Sequence, residues 1–239
     1  MTRAFYFDHP DILQLETEVI DTRPGAVLVA RSPFFPGGGG QLADRGIIRW
    51  SDGRETVTGF EPDKRGLWHL FSSDAKPSGH VKLEVEPTFR ALMCELHTLA
   101  HVLNALVYMR FGGALLTGAQ LGADGTFRVD FDLPSADTDS LRALEQPLND
   151  VMQQDLPVRT AFIPYDEAQA VTGLFRSKSV APPPGPDGLV RIVEIVGLDR
   201  QACGGTHLSS TGQARRARIV KIDNKGRQNR RIKVALQES

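Results

Sequence analysis

The chain has 239 residues, 41% hydrophobic and 24% charged, which fits a soluble globular protein and excludes a disordered chain, a collagen or a coiled coil. No run approaches the roughly 20 apolar residues of a membrane span, and the opening Met1-Thr2-Arg3-Ala4-Phe5-Tyr6-Phe7-Asp8 lacks the apolar core of a signal peptide. The net charge of −1 conceals a split: residues 215–239 carry nine Lys/Arg against two Asp/Glu, and residues 1–214 carry nineteen against twenty-seven.

Residues 1–88 read as β structure. Residues 17–30 form strands around a Pro24-Gly25 turn, and Ile47-Ile48-Arg49-Trp50 runs into the hairpin signal Ser51-Asp52-Gly53. Residues 67–71 and 80–85 continue the pattern, which suggests a small barrel or sandwich. The character changes at Pro87. Residues 89–111 form one long helix, because Leu92, Leu96, Leu99, Leu103 and Leu106 share a stripe at 100° per residue and Gly112-Gly113 stops it. A strand at 126–131, a helix near 139–154 bent at Pro147, a short helix from Asp166-Glu167 and a strand at 189–196 follow. Pro182-Pro183-Pro184-Gly185-Pro186 is a loop. Residues 215–222 and 228–236 read as a hairpin across Asn224-Lys225-Gly226. Segregated strands and helices predict an α+β fold: a β-barrel-like domain at 1–88, then an α+β domain with an antiparallel sheet at 89–239.

His97 and His101 lie four apart on the long helix, one turn above each other and opposite the leucine stripe. Two imidazoles so spaced can grip one metal ion, although paired surface histidines are common. Cys203-Gly204-Gly205-Thr206-His207 adds a thiolate and an imidazole around glycines that let both face one point. One cysteine with three histidines is a zinc set. Cys94 lies on the same helical face as His97 but lacks a glycine turn and a histidine partner, so it reads as a packed thiol. A third feature is Pro36-Gly37-Gly38-Gly39-Gly40-Gln41-Leu42-Ala43-Asp44-Arg45-Gly46. It lacks the Lys-Ser/Thr of a P-loop, and Gln41 and Asp44 make it a built turn rather than a linker. The cations Arg215, Arg216, Arg218, Lys221, Lys225, Arg227, Arg230, Arg231 and Lys233 suit a polyanionic partner such as RNA; they would also keep an exposed edge hairpin soluble.

Together, His97-Thr98-Leu99-Ala100-His101, Cys203-Gly204-Gly205-Thr206-His207 and Gly39-Gly40-Gln41-Leu42-Ala43-Asp44-Arg45-Gly46 resemble the editing half of alanyl-tRNA synthetase and its free-standing relatives, the AlaX trans-editing proteins. Leu99 stands where the family usually has alanine. The segments Tyr165-Asp166-Glu167-Ala168, Leu174-Phe175 and Val190-Arg191-Ile192-Val193 extend the likeness, and the glycine-rich β part resembles the medium-length type. No segment resembles the ATP-binding core of a class II synthetase, so the chain is not expected to charge tRNA.

The resemblance implies a hydrolase that deacylates tRNA for alanine mischarged with serine or glycine, guarding translation fidelity without ATP. It implies Zn2+ held by His97, His101, Cys203 and His207, a substrate pocket touched by Gly39, Gly40, Gln41, Asp44, Gly204 and Gly205, and a specificity residue at Thr117. Either one ligand is loose and zinc activates water, or a closed site orients the substrate. The glycine-rich loop is expected to place the acceptor end rather than to take part in chemistry. Asp130 and Asp132 could orient a histidine, or be solvated strand residues. Two cysteines are too few for a disulfide framework, so a reducing cytoplasm is expected, with tRNA as partner and no membrane or stable protein partner. The rival readings are an RNA-binding module with a structural zinc, a zinc hydrolase of small esters or amides, and an editor of another mischarged tRNA.

Overall fold

The structure is a computed structural model and describes residues 4–134, 136–178 and 182–237. Met1, Thr2 and Arg3, read above for a leader, lie outside the described residues, as do 238 and 239 at the end of the second expected domain. By internal contacts the chain divides into two compact units, Met1–Gly38 with Leu42–Ala91 and Gly39–Gln41 with Leu92–Ser239.

The first unit opens with a single helical turn, α1 (Phe5–Asp8). Seven strands follow: β1 (Gln14–Arg23), β2 (Ala26–Val29), β3 (Gly46–Trp50), β4 (Gly53–Thr56), β5 (Gly59–Asp63), β6 (Gly66–Leu70) and β7 (His80–Val85). They form one antiparallel sheet in the order β4-β3-β7-β1-β2-β6-β5, curled into a half-barrel. Both predicted hairpins form, with Gly25 at φ +71 in the first. β5 carries Pro62, which tempers a strand reading but is tolerated because β5 is an edge. Val27, Phe34, Ile48, Val81 and Leu83 fill the interior. His69 is wholly buried beside Ser32 Oγ at 2.7 Å, and burial lowers its pKa to about 4, so it stays neutral.

The long helix α2 (Pro87–Arg110) begins in the first unit and continues into the second. By length and composition it is apolar enough to cross a membrane, contrary to the expectation from the sequence. However, 78% of its apolar window is buried in the fold, so it is a core helix. The predicted stripe is therefore too narrow: Leu96, Leu99 and Leu103 are buried, and so are His97 and His101 on the other side.

The second unit has β8 (Leu116–Leu121), β9 (Thr126–Asp132), α3 (Thr138–Arg142), α4 (Glu145–Gln153), β10 (Val158–Pro164), α5 (Tyr165–Ala170), β11 (Leu189–Ile195), β12 (Asp199–Ala202), β13 (Ala217–Lys225) and β14 (Asn229–Leu236). Two antiparallel sheets result, β13-β14-β9-β8 and β10-β11-β12, which is the expected α+β architecture. The single bent helix expected near 139–154 is instead two helices. Pro147 has no N–H and its ring crowds the carbonyl four residues back, so the chain restarts at Leu144. The last hairpin turns at Gly226, φ +77, because β13 runs on through Asn224 and Lys225. Buried Asn149 covers the edge of β13: its Nδ2 donates to Ala217 O at 2.9 Å and its Oδ1 accepts from Ala217 N at 3.0 Å.

Candidate metal centre

Two pieces of the second unit bring the ligand-type side chains together. His97 and His101 project from successive turns of α2. Beyond β12 the chain turns tightly through residues 203–207, and Cys203 N still donates to Arg191 O at 3.0 Å, extending the ladder with β11. Buried Arg191 then fixes the turn, with Nη1 donating to Cys203 O at 3.1 Å and Gly205 O at 2.8 Å. Thr98, between the two helical histidines, accepts from Leu208 N at 3.1 Å and ties the far end of the turn to α2.

The result is a cluster of His97, His101, Cys203 and His207 whose ligand atoms all lie within 4.8 Å of one another. Cys203 Sγ is 3.5 Å from His97 Nε2 and 3.4 Å from His207 Nε2. A tetrahedral zinc with Zn–S of about 2.3 Å and Zn–N of about 2.0–2.1 Å would separate sulfur from nitrogen by about 3.6 Å. The donor set and its spacing therefore fit zinc. The outer ring nitrogens fit as well: His97 Nδ1 lies 2.8 Å from Gln41 Oε1, and His207 Nδ1 lies 3.3 Å from Thr98 Oγ1. Metal-binding histidines characteristically anchor their second nitrogen this way. His101 Nδ1 is buried with no hydrogen-bond partner among the described residues.

Burial, reinforced by the Arg191 charge, lowers the His97 pKa to about 3 and those of His101 and His207 well below the usual histidine value. Burial pushes the Cys203 thiol up. Without a cation the four groups are thus neutral, and the imidazole lone pairs are available. A cation is what would favour the thiolate here.

The other residues singled out from the sequence fall in different places. Cys94 is outside the cluster and donates to Thr206 Oγ1 at 3.2 Å. Gly39, Gly40 and Gln41 group with the second unit, whereas Asp44 belongs to the first. There the buried Asp44 carboxylate accepts from Arg90 Nε at 2.9 Å and Phe35 N at 2.6 Å, closing the base of the glycine loop. Gly205 has no room for a side chain beside His97. Thr117 lies in β8, where its Oγ1 donates to Asn229 Oδ1 at 3.2 Å. Asp130 is bound by Arg231 and Arg128, and Asp132 by Lys178, so both carboxylates are engaged by cations.

Of the basic residues, Arg215 is paired with Glu95, Arg231 with Asp130 and Lys221 with Asp223. Arg230 donates to Ala136 O and Pro134 O. Arg216, Arg218, Lys225 and Arg227 are exposed, and half-buried Lys233 stands opposite Lys221 on one side and Arg128 on the other. Sequence reasoning missed Arg191, Thr98 and Arg90. Arg191 sits in an apolar strand, Val190-Arg191-Ile192-Val193, and a cation in such a run is the signal that could have found it.

The second unit thus carries, on an α+β fold, a buried cluster of three histidines and one cysteine of the kind that could hold a metal ion. Residues 190–233, which include Cys203 and His207, match the family described as threonyl and alanyl tRNA synthetase second additional domain. Over 97% of its length the chain is 35% identical to the alanyl-tRNA editing protein AlaX-M of Methanosarcina barkeri, and 31% identical to that of Saccharolobus solfataricus, covering 98% of each. It is 32% identical over 89% of its length to the alanine–tRNA ligase of Korarchaeum cryptofilum, of which it covers 24%. The chain belongs to the AlaX-M family of alanyl-tRNA editing proteins.

Proposed function

We propose that the chain is a trans-acting deacylase that hydrolyses the ester of seryl- or glycyl-tRNA for alanine with zinc held by His97, His101, Cys203 and His207. The observation that carries this is the convergence of those four side chains on one point in a member of an editing family. The need for such an enzyme is physical. A pocket built for a methyl group discriminates against one added hydroxyl or one missing methyl by only about 100-fold, so errors must be removed afterwards. In this reading residues 1–88 form the β domain that supplies the glycine-rich loop, residues 89–239 form the editing domain, and the protein works in the cytoplasm.

Bound zinc would supply Lewis acidity toward the ester or toward a water. The chain's own groups do the rest. Arg191 holds the 203–207 turn so that its backbone, bare at Gly204 and Gly205, can approach the acyl end closely. Thr117 serves as the reader of a serine hydroxyl. Thr117→Val keeps the shape and removes one hydrogen bond worth roughly 0.5–1.5 kcal/mol, so clearance of serine should fall several-fold to about tenfold, with glycine clearance little changed. Single-turnover deacylation of both substrates checks this, and equal losses would remove Thr117 from the role.

For the RNA backbone, the exposed cations Arg216, Arg218, Lys225 and Arg227 are better placed than Arg215, Arg230 and Arg231, which are engaged within the fold. Replacing Arg218, Lys225 and Arg227 together by Ala should weaken binding to any tRNA alike. It should also flatten the salt dependence by up to about 0.7–0.9 in the log–log slope per lost phosphate contact. Filter binding across a salt series measures it, and an unchanged slope would return these residues to edge solubility.

The function is tested by deacylation of tRNA for alanine carrying serine, glycine or alanine. Serine or glycine should be released faster than alanine. Inertness on every charged tRNA, with metal bound, would favour a structural zinc. Equal activity on free aminoacyl esters would favour a small-ester hydrolase.

A further inference from the structure

Gln41, in the glycine-rich loop, reaches the candidate metal centre with its side chain. The residue is 4% exposed, and its carboxamide makes three bonds. Oε1 lies 2.8 Å from His97 Nδ1 and 3.0 Å from Thr206 N, and Nε2 donates to Thr206 Oγ1 at 2.8 Å. The backbone delivers it with little freedom. Gly40, at φ +92, accepts at its carbonyl from Leu121 N at 2.8 Å, and a Cβ on it would lie 2.5 Å from Ala119 O.

These bonds fix a proton. A backbone N–H can only donate, so the atom facing Thr206 N must be the oxygen of the carboxamide. The same oxygen faces His97 Nδ1, which must therefore carry the hydrogen. That leaves the lone pair of His97 on Nε2, the atom 3.5 Å from Cys203 Sγ. The bonds to Thr206 act on the other half of the centre, since Thr206 lies in the turn between Cys203 and His207.

We infer that Gln41 is a positioning residue for the metal centre: it locks His97 in the Nδ1–H tautomer and pins the 203–207 turn against α2. The inference rests on the metal-centre reading above. It assigns the glycine-rich loop to building the centre rather than to placing the acceptor end.

The test compares Gln41→Leu and Gln41→Glu with the parent, reading zinc affinity by competition with a chromophoric chelator and the visible spectrum of the cobalt-substituted proteins. Glutamate keeps an acceptor for His97 Nδ1–H and Thr206 N–H, whereas leucine keeps only the bulk. Loss of such an outer-shell partner typically costs 10–100-fold in metal affinity. Gln41→Leu should weaken zinc by about that factor and shift the cobalt bands, while Gln41→Glu stays within about threefold of the parent. A packing role predicts the reverse order, because a buried carboxylate is costlier than a buried leucine. Gln41→Leu binding as tightly as the parent would overturn the inference. If Gln41→Leu does not fold, a tenfold or greater loss in Gln41→Glu overturns it just as well. A parent chain that binds no zinc would sink the metal-centre reading itself.

Discussion

Cys203→Ala and His101→Ala are expected to bring zinc from about one ion per chain to near zero after dialysis against a weak chelator, and to take deacylation to background. Both residues belong to the cluster whose ligand atoms lie within 4.8 Å of one another, and a tetrahedral site missing one protein ligand holds its metal far less firmly. Cys94→Ala separates this from a general effect of losing a thiol. Cys94 lies one helical turn before His97 but bonds Thr206 Oγ1 rather than joining the cluster, so zinc content and activity should stay near the parent values. Metal analysis of the three purified variants decides the matter. Loss of zinc in Cys94→Ala with retention in Cys203→Ala would overturn the ligand assignment.

Gly205→Ala should be nearly as damaging although it removes no ligand. A methyl group there would lie 2.1 Å from His97 Cε1, 2.3 Å from His97 Nδ1 and 2.7 Å from Gln41 Oε1. His97 cannot swing aside without leaving Gln41, and the turn cannot retreat without breaking the Arg191 bonds to Cys203 O and Gly205 O. Overpacking of this kind costs about 1–3 kcal/mol, here directed at the centre. The expected result is a folded protein, with a melting temperature lowered by several degrees, that has lost most of its zinc affinity and activity. A Gly205→Ala protein with parental zinc affinity would show that the 203–207 turn is looser than these contacts imply.

Much of the centre could be read in the sequence because its parts are local. His97 and His101 are joined by one helical turn, and Cys203 and His207 by one glycine turn. What joins the halves is long-range, and its one local mark is the cation Arg191 in an apolar run. Gln41 reaches His97 across 56 positions, and Arg191 reads as a stray cation until the ladder to Cys203 is seen. The hairpins announced themselves through Pro24-Gly25 and Ser51-Asp52-Gly53. Strands β8, β10 and β12 did not. Leu-Thr-Gly-Ala-Gln-Leu lacks a β-branched run, and Asp-Arg-Gln-Ala is polar, so both owe their form to their neighbours. The basic tail shows the same limit. Composition counted nine cations, but only the register, which sets Arg231 opposite Asp130, reveals which are already engaged.

The most direct measurement is deacylation of seryl- and glycyl-tRNA for alanine by protein stripped with a chelator and then titrated with zinc. The account predicts background activity in the stripped protein and recovery in proportion to zinc added, saturating at about one equivalent per chain, with alanyl-tRNA spared throughout. Full activity in the stripped protein, or recovery that bears no relation to bound zinc, would contradict it.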